Sequence, residues 1–220
     1  MSRPHNALMA LALAAAAPAQ AGEIQGVARL VGPPPRPAPI EVTKDRSACG
    51  ESVPDEQVQA ANGLLANVVV TVKGAPAPKP GKAVLDQQRC RYVPHVQAVA
   101  LGSTLDIVNG DDILHNVHGY IGSASAFNVA MPVKNQRVPR KLEKPGLILV
   151  RCDVHAWMSA WLLVTDTAFA VTGPDGAFTV PDVPPGTYTV KAWHESLGER
   201  TASVTVPASG AATLELTFGR

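Results

Sequence analysis

Residues Gly146–Met158 read GLILVRCDVHAWM, an apolar run that ends in a group of sulfur and imidazole side chains. The run Leu147–Arg151 predicts a β-strand, because branched and apolar residues suit a pleated sheet. Cys152, His155 and Met158 follow it at C-x2-H-x2-M spacing. This stretch therefore predicts a strand that turns into a tight loop carrying a thiolate, an imidazole and a thioether.

The remainder of the chain from Gly22 onward also consists of short apolar runs, separated by glycine, proline, asparagine and aspartate. Runs of this kind predict strands. The predicted strands are Ile24–Val31, Leu64–Val72, Val96–Ala100, Thr104–Val108, Leu147–Arg151, Trp161–Val164, Ala177–Val180, Tyr188–Trp193, Ala202–Val206 and Thr213–Phe218. No run predicts a helix of ordinary length, so the expected fold class is all-β, as a sandwich or barrel.

The composition suits one large or two small globular domains and argues against several functional classes. The chain has 220 residues, of which 46% are hydrophobic and 17% charged, so enough apolar side chain is present for a core. Its formal net charge of +1 lacks the basic excess typical of nucleic-acid-binding proteins. After the first 21 residues no stretch approaches about 18 apolar residues, so we expect no membrane span in the mature chain.

The first 21 residues have the features of a cleavable signal peptide. Arg3 supplies a positive charge, Ala7–Ala17 forms a short apolar run, and Ala19-Gln20-Ala21 matches a cleavage site. The apolar run is too short for a membrane anchor. We therefore expect cleavage after Ala21, export to the periplasm, and surroundings that permit disulfides.

A second histidine-containing segment supplies the ligand that the loop lacks. Thr104–His118 reads TLDIVNGDDILHNVH and contains His115. Together with Cys152, His155 and Met158, this histidine completes a set of one thiolate, two imidazoles and one thioether. That donor set is typical of mononuclear blue-copper sites, since soft sulfur ligands favour copper and zinc sites rarely use a thioether.

At these residues the sequence resembles the cupredoxins, and most closely their amicyanin and plastocyanin branch. The segment NGDDILHNV, residues 109–117, matches the segment of the family's first histidine. The segment GLILVRC, residues 146–152, matches the strand that leads into the family's ligand loop. The resemblance extends over about residues 85–164 and implies a copper-binding Greek-key β-sandwich.

The resemblance also assigns a role to each residue of the site. It implies that His115, Cys152 and His155 are equatorial copper ligands and that Met158 is the axial ligand. It implies that Asn116 braces the ligand loop and the cysteine sulfur. In the cupredoxins the second loop histidine has a partly exposed ring edge within an apolar patch, so we expect electrons to pass through His155.

A composition shift near Thr165 marks a smaller C-terminal module. Residues 171–190, VTGPDGAFTVPDVPPGTYTV, resemble the carboxypeptidase regulatory-like, transthyretin-like modules. Such modules are structural or interaction elements and bring no catalytic residues. We therefore divide the chain into a signal peptide (1–21), a copper domain with an N-terminal β extension (22–165) and a regulatory-like β module (166–220).

Cys49 and Cys90 lie outside the ligand segments and have no ligand-type neighbours at close spacing. In an exported protein we expect them to form a disulfide, which would tie the N-terminal extension to the copper domain. Pairing of either cysteine with Cys152 is the alternative, and it would destroy the copper site.

His95, His118 and His194 are further histidines without a local pattern of metal ligands. We expect each to be a surface or hydrogen-bonded histidine, while a second metal site built from two or three of them is the alternative. Trp157 lies inside the ligand loop, where it either packs in the core, shields the copper or faces a partner protein.

The donor set indicates one-electron transfer between exported redox proteins, with no catalytic residues and no enzyme activity. A copper carrier or sensor would use the same ligands, and an interaction protein would use copper mainly for stability. Cys152, His155 and Met158 could instead pack a β corner without metal. A thiol enzyme is less favoured, because Cys152 and His155 lack an orienting residue and Met158 would have no role.

Overall fold

The computed structural model describes residues 21–35 and 37–219, and their regular structure is almost entirely β-sheet. The all-β fold class expected from the sequence is confirmed. Most of the predicted signal peptide, residues 1–20, lies outside the described residues. Within the described ranges the one helix, α1 (Arg46–Cys49), has four residues, and no helix is long and apolar enough to cross a membrane.

The strands are short and follow one another along the described chain. They are β1 (Gly22–Leu30), β2 (Ile40–Glu41), β3 (Ser52–Val53), β4 (Ala60–Ala61), β5 (Leu64–Leu65), β6 (Val69–Pro76), β7 (Lys82–Gln88), β8 (Arg91–Val93), β9 (Val96–Ala100), β10 (Thr104–Asn109), β11 (His115–Ile121), β12 (Ala124–Met131), β13 (Arg137–Lys141), β14 (Gly146–Arg151), β15 (Ser159–Thr165), β16 (Thr167–Val171), β17 (Ala177–Val183), β18 (Gly186–His194), β19 (Gly198–Val206) and β20 (Ala211–Phe218). Gly176 and Gly198 lie at strand starts with φ of 68° and 73°, a left-handed backbone that glycine adopts without strain.

Two sheets enclose the first hydrophobic core and form a sandwich. One has the order β13-β10-β7-β8, and the other has the order β12-β11-β14-β15-β9. The β10–β7 and β15–β9 pairs are parallel, and the other neighbours are antiparallel. Parallel neighbours need crossover connections, so the chain passes between the two sheets rather than meandering through one. Apolar side chains from both sheets meet in the core, including Leu85, Leu105, Ile107, Val117, Ile148, Val150 and Leu162.

Two further sheets enclose a second core. One has the order β17-β1-β5-β4, with β20 parallel to β1, and the other has the order β16-β6-β18-β19. Their inner side chains are almost all apolar and include Ile24, Val70, Val72, Phe178, Val190 and Phe218. Strand β1 is packed so closely that a Cβ at Gly26 would lie 2.2 Å from the Leu214 carbonyl oxygen. Only glycine fits at that position.

The second sandwich takes strands from both ends of the chain, whereas a division at residue 165 places β1 and β6 in the copper domain. Strand β1 pairs with β17 and β20, and β6 pairs with β16 and β18. The C-terminal strands need these partners because unpaired edges expose backbone N–H and C=O groups. The N-terminal extension is therefore divided between the two cores.

Residues Ile40–Val53, called the cap below, pack on the first sandwich. Strand β2 pairs with β3, and α1 lies between them in sequence. The side chains of Val42, Cys49 and Val53 are buried in the first core. The cap belongs to the first sandwich, although the strand that precedes it belongs to the second.

A buried polar cluster connects the two sandwiches. His95 donates through Nε2 to Glu195 and through Nδ1 to the Ser159 carbonyl, 3.1 Å away. Trp161 Nε1 donates to Glu195 Oε2 over 2.9 Å, and the Trp161 ring packs against Trp193. Burial lowers the pKa of His95, but the hydrogen bond and charge of Glu195 outweigh burial and raise it above its ordinary value.

Candidate metal centre

The ligand loop is a short connection at the end of the β14–β15 hairpin. The last strand pair is Arg151 with Ser159. The Cys152 N–H donates to the Met158 carbonyl over 3.4 Å, and the Met158 N–H donates to the His155 carbonyl over 3.0 Å. These bonds close the loop so tightly that Cys152, His155 and Met158 are 3%, 0% and 1% exposed.

The fourth residue of the predicted set, His115, is the first residue of β11 and is also fully buried. Its Nδ1 lies 2.9 Å from Nδ1 of His155, and the Cys152 sulfur lies 3.8 Å from the same atom of His155. The three ligand atoms lie within 4.8 Å of one another. The structure thus brings the imidazole of His115 to a thiol and an imidazole that lie about 40 residues further along the chain.

Each histidine ring is held from outside by a carboxylate. Nε2 of His115 donates to Asp111 over 3.0 Å, and Nε2 of His155 donates to Asp45 over 2.9 Å. Ionised carboxylates only accept hydrogen bonds, so both Nε2 atoms carry hydrogen. The lone pairs of the neutral rings are then at Nδ1, where the two rings face each other beside a sulfur. Three electron-pair donors that converge in a buried space repel one another unless a proton or a metal ion lies between them.

The electrostatics of Cys152 and His115 agree with this requirement. Burial raises the pKa of the Cys152 thiol, but hydrogen bonds from His115 and from backbone N–H groups outweigh it, so this pKa lies below its ordinary value. Burial lowers the pKa of His115, but hydrogen bonds to Asp111 and Cys152 raise it above the usual range. The surroundings of Cys152 therefore favour its thiolate form.

His155 differs from His115 in its pKa. Burial lowers it, and the positive charges of His115 and Lys44 add to that effect, although Asp45 acts in the opposite direction. The net effect leaves the pKa of His155 below its ordinary value. A histidine that is neutral at neutral pH presents a free lone pair to a metal ion.

Asn116 braces the ligand loop, as the resemblance implies. Its backbone N–H donates to the Cys152 sulfur, which helps to lower the thiol pKa. Its side-chain oxygen accepts from the Asp153 N–H over 2.7 Å, and its Nδ2 donates to the Asp153 carboxylate over 2.8 Å. One asparagine therefore holds both the sulfur and the residue that follows it.

These residues fit a copper ion. Two nitrogens 2.9 Å apart can each lie about 2.0–2.1 Å from one ion, the usual metal–imidazole distance. A thiolate with two imidazoles, beside a buried methionine, is the donor combination that soft copper sites use. His115, Cys152 and His155 would hold the ion, and Met158 is the additional sulfur in the same core.

The expectation that His155 has a partly exposed ring edge is wrong for this protein. The side chain is 0% exposed, because the Asp45 carboxylate of the cap covers its Nε2. Trp157 packs beside it at 5.1 Å between ring centroids and donates through Nε1 to the Cys90 carbonyl over 3.1 Å. Trp157 therefore packs in the wall of the site.

The structure contains the predicted disulfide between Cys49 and Cys90, with a Cα–Cα distance of 5.4 Å. Cys152 is free and buried. The disulfide joins the cap to the turn before β8, and it leaves the thiol of Cys152 available as a ligand.

The three further histidines lie outside the groups of convergent ligand atoms. In the part of the chain that the structure describes, no group of potential metal ligands contains His95, His118 or His194. His118 pairs with Asp153 at 3.0 Å, on the side shared with Asn116. Burial lowers the pKa of His194 to about 4, so this histidine is neutral at neutral pH.

The carboxylates around the centre are the functional residues that the sequence interpretation missed. Asp111 lies four residues before His115 in the quoted NGDD stretch, so its position in the sequence could have indicated that it contacts this histidine. Asp45 lies 110 residues before His155, and no local pattern connects them. Only the folded chain shows that contact.

Comparisons with known proteins bear on the two resemblances unequally. A family model described as carboxypeptidase regulatory-like domain matches residues 162–219. Curated protein sequences yield no significant match. The C-terminal resemblance is therefore supported by a sequence family.

Three solved structures illustrate the structural similarity. A reduced tryptophan-to-tyrosine mutant of amicyanin is 23% identical, covers 44% of this chain and 98% of its own, and has a TM-score of 0.35. The purple cupredoxin of Nitrosopumilus maritimus is 18% identical, with 38% and 99% covered and a TM-score of 0.32. The copper-containing nitrite reductase of Thermus scotoductus is 21% identical, with 42% of this chain, 24% of the reductase and a TM-score of 0.34. With TM-scores this low, the similarities carry no weight in assigning a function.

Proposed function

We propose that the chain is an exported, periplasmic mononuclear blue copper protein that carries single electrons between redox partner proteins. The observation that supports this function best is the convergence of three donor atoms. Nδ1 of His115, Nδ1 of His155 and the Cys152 sulfur lie within 4.8 Å of one another, and both Nε2 atoms face carboxylates. No catalytic step is assigned to the site.

The surrounding residues suit electron transfer because they hold the ligands still. Bound copper would supply a one-electron couple. Asp45 and Asp111 fix the orientation of the two rings, and Asn116 fixes the cysteine sulfur. Ligands that keep their positions lower the reorganisation that accompanies gain or loss of an electron.

Burial of the ligands favours electron transfer over copper delivery. A carrier must release its metal to a partner, and such release needs at least one ligand within the partner's reach. Here His115 and His155 are 0% exposed and Cys152 is 3% exposed. A slow metal off-rate together with a reversible redox couple would support the electron carrier, and rapid exchange without a couple would support the carrier of copper.

The absorption and electron paramagnetic resonance spectra of the copper-loaded mature protein test the proposal. We expect an intense thiolate-to-Cu(II) band and narrow copper hyperfine splitting. Cys152→Ser should abolish the band, whereas Met158→Leu should retain copper and change the reduction potential, because axial ligands tune the site. A colourless copper complex, or colour that survives Cys152→Ser, contradicts the proposal.

A further inference from the structure

Asp45 occupies an unusual position in the cap. It is the residue before α1, where an aspartate ordinarily accepts a hydrogen bond from the first helical N–H groups. Its side chain makes no such bond, and its backbone is left-handed with φ 54° and ψ 38°. The carboxylate instead accepts from Nε2 of His155 over 2.9 Å. A residue that gives up its local partner for a distant one is a candidate for a role in the site.

The cap holds Asp45 in place through several contacts. Arg46, the residue after Asp45, donates through Nε to the Val42 carbonyl over 2.7 Å. The N–H of Cys49 donates to the Asp45 carbonyl over 3.0 Å. Cys49 is bonded in turn to Cys90, so the position of Asp45 depends on the disulfide.

The other end of the disulfide leads to the second histidine. The N–H of Cys90 donates to Asp111 Oδ2 over 2.8 Å, and the N–H of Arg89 donates to Asp111 Oδ1 over 2.7 Å. The same Oδ2 atom accepts from Nε2 of His115 over 3.0 Å. Each half-cystine therefore hydrogen-bonds an aspartate that orients one of the two histidines: Cys90 the Asp111 carboxylate, and Cys49 the main-chain carbonyl of Asp45.

We propose that the disulfide-linked cap is part of the metal centre, with Asp45 as the positioning residue of His155. Its carboxylate turns Nδ1 of His155 inward and closes the outer edge of the ring to water. The contacts run from His155 through Asp45, the Cys49–Cys90 disulfide and Asp111 to His115. This inference rests on the proposed function only in naming the ion as copper.

The chemical consequence concerns the basicity of the ligand. A carboxylate that accepts from the outer N–H of a metal-bound histidine raises the basicity of the ring and fixes its tautomer. Loss of such a partner typically weakens metal binding about 10–100-fold. A less basic imidazole also favours Cu(I) over Cu(II), so removal of the Asp45 charge should raise the reduction potential.

The test compares four forms of the full mature protein: wild type, Asp45→Asn, Asp45→Ala and Glu51→Gln. Glu51→Gln is the matched control, because it removes a cap carboxylate that pairs with Arg46 and does not contact His155. Asp45→Asn keeps a hydrogen-bond acceptor of the same shape without the charge. Circular dichroism establishes that each variant is folded.

The first measurement uses the metal-free protein. Nitrogen-edited NMR follows exchange of the His155 Nε2 hydrogen with water. We expect exchange at least about tenfold faster in Asp45→Ala than in wild type, with Asp45→Asn in between and Glu51→Gln within about twofold of wild type. Equal exchange in Asp45→Ala and Glu51→Gln overturns the inference.

The second measurement uses copper competition and voltammetry. We expect Asp45→Ala to bind copper about 10–100-fold more weakly and to have a raised potential, with binding restored in part by Asp45→Asn. Unchanged affinity and potential in Asp45→Ala contradict the positioning role. A wild-type protein that never turns blue contradicts the proposed function instead, while the NMR comparison still decides the role of the cap.

Discussion

The two sandwiches use the same kind of strand but bury different side chains. The second core consists almost entirely of aliphatic residues with Phe178 and Phe218. The first also buries His115, His155 and Asn116 around the Cys152 thiol. Buried polar groups destabilise a fold unless they are hydrogen-bonded, and here each of them has a partner. The difference shows that the convergent imidazole and thiol groups lie in the first sandwich.

The expected largest effect is that of truncation after Thr165. Removal of residues 166–220 deletes β17 and β20, which pair with β1, and β16 and β18, which pair with β6. The edges of β1 and β6 that those strands cover would then be exposed. We expect the fragment to aggregate rather than form a stable copper domain. Size-exclusion chromatography and circular dichroism of the fragment, beside the full mature chain, measure this. A monomeric, folded fragment would show that the first sandwich is independent of the second.

Phe218→Ala is the next largest change, and it isolates the second core. Phe218 is 0% exposed, and loss of a buried phenylalanine costs about 3–5 kcal/mol of unfolding free energy. The visible spectrum of the copper-loaded, folded variant should match that of wild type, because Phe218 lies outside the metal centre. Chemical denaturation and absorption measure the two effects, and a shifted or missing band would show that the cores are coupled.

The proposed copper site predicts a change in the stability of the first sandwich when the metal is removed. A ligand at about 100 times its dissociation constant stabilises the folded state by about 2.7 kcal/mol. We expect the unfolding free energy to fall by about that amount when copper is removed at this concentration ratio. His155→Ala should show little dependence on copper. Equal copper dependence in wild type and variant would place the ion elsewhere.

The contact between His95 and Glu195 predicts a smaller, pH-dependent effect. Because the pKa of His95 is raised by folding, its contribution to stability is full below the unfolded pKa of about 6.5 and is lost as pH rises through the folded value. Glu195→Gln removes this contribution, so the substitution should destabilise the fold more at pH 5.5 than at pH 9. The difference is on the order of 1.4 kcal/mol for each pH unit by which folding raises the pKa of His95. Denaturation at several pH values measures it. An effect that grows toward high pH contradicts the sign.

The strands recovered from sequence are those with continuous apolar runs. Val96–Ala100 is found with the expected bounds, and β14 differs from the expected Leu147–Arg151 by one residue. Strands β7, β12 and β13 were not predicted, because KAVLDQQ, ASAFNVAM and RVPRK contain many polar or small residues. Such strands form because their neighbours in the sheet supply hydrogen bonds, and single-sequence patterns do not contain that information.

The assignment of strands to cores also depended on tertiary structure. The division made from the sequence placed β1 and β6 in the expected copper domain, 22–165, because they lie before residue 165 in the chain. Strand pairing joins residues that are far apart in sequence, as in the pair of Gln25 with Thr179. Composition shows that a segment is a strand, but only the available edges decide which sheet it enters.

The sequence alone determined that Cys152, His155 and Met158 lie close together, because they belong to one short stretch of chain. Their spacing restricts how far apart their side chains can lie. The expected disulfide followed from the number of cysteines and the predicted export. The closure of His155 by Asp45 was decided only by the tertiary structure, because it joins residues 110 positions apart. Contacts between residues so far apart in sequence form only when the packing of the whole fold offsets the entropy of ordering the chain between them.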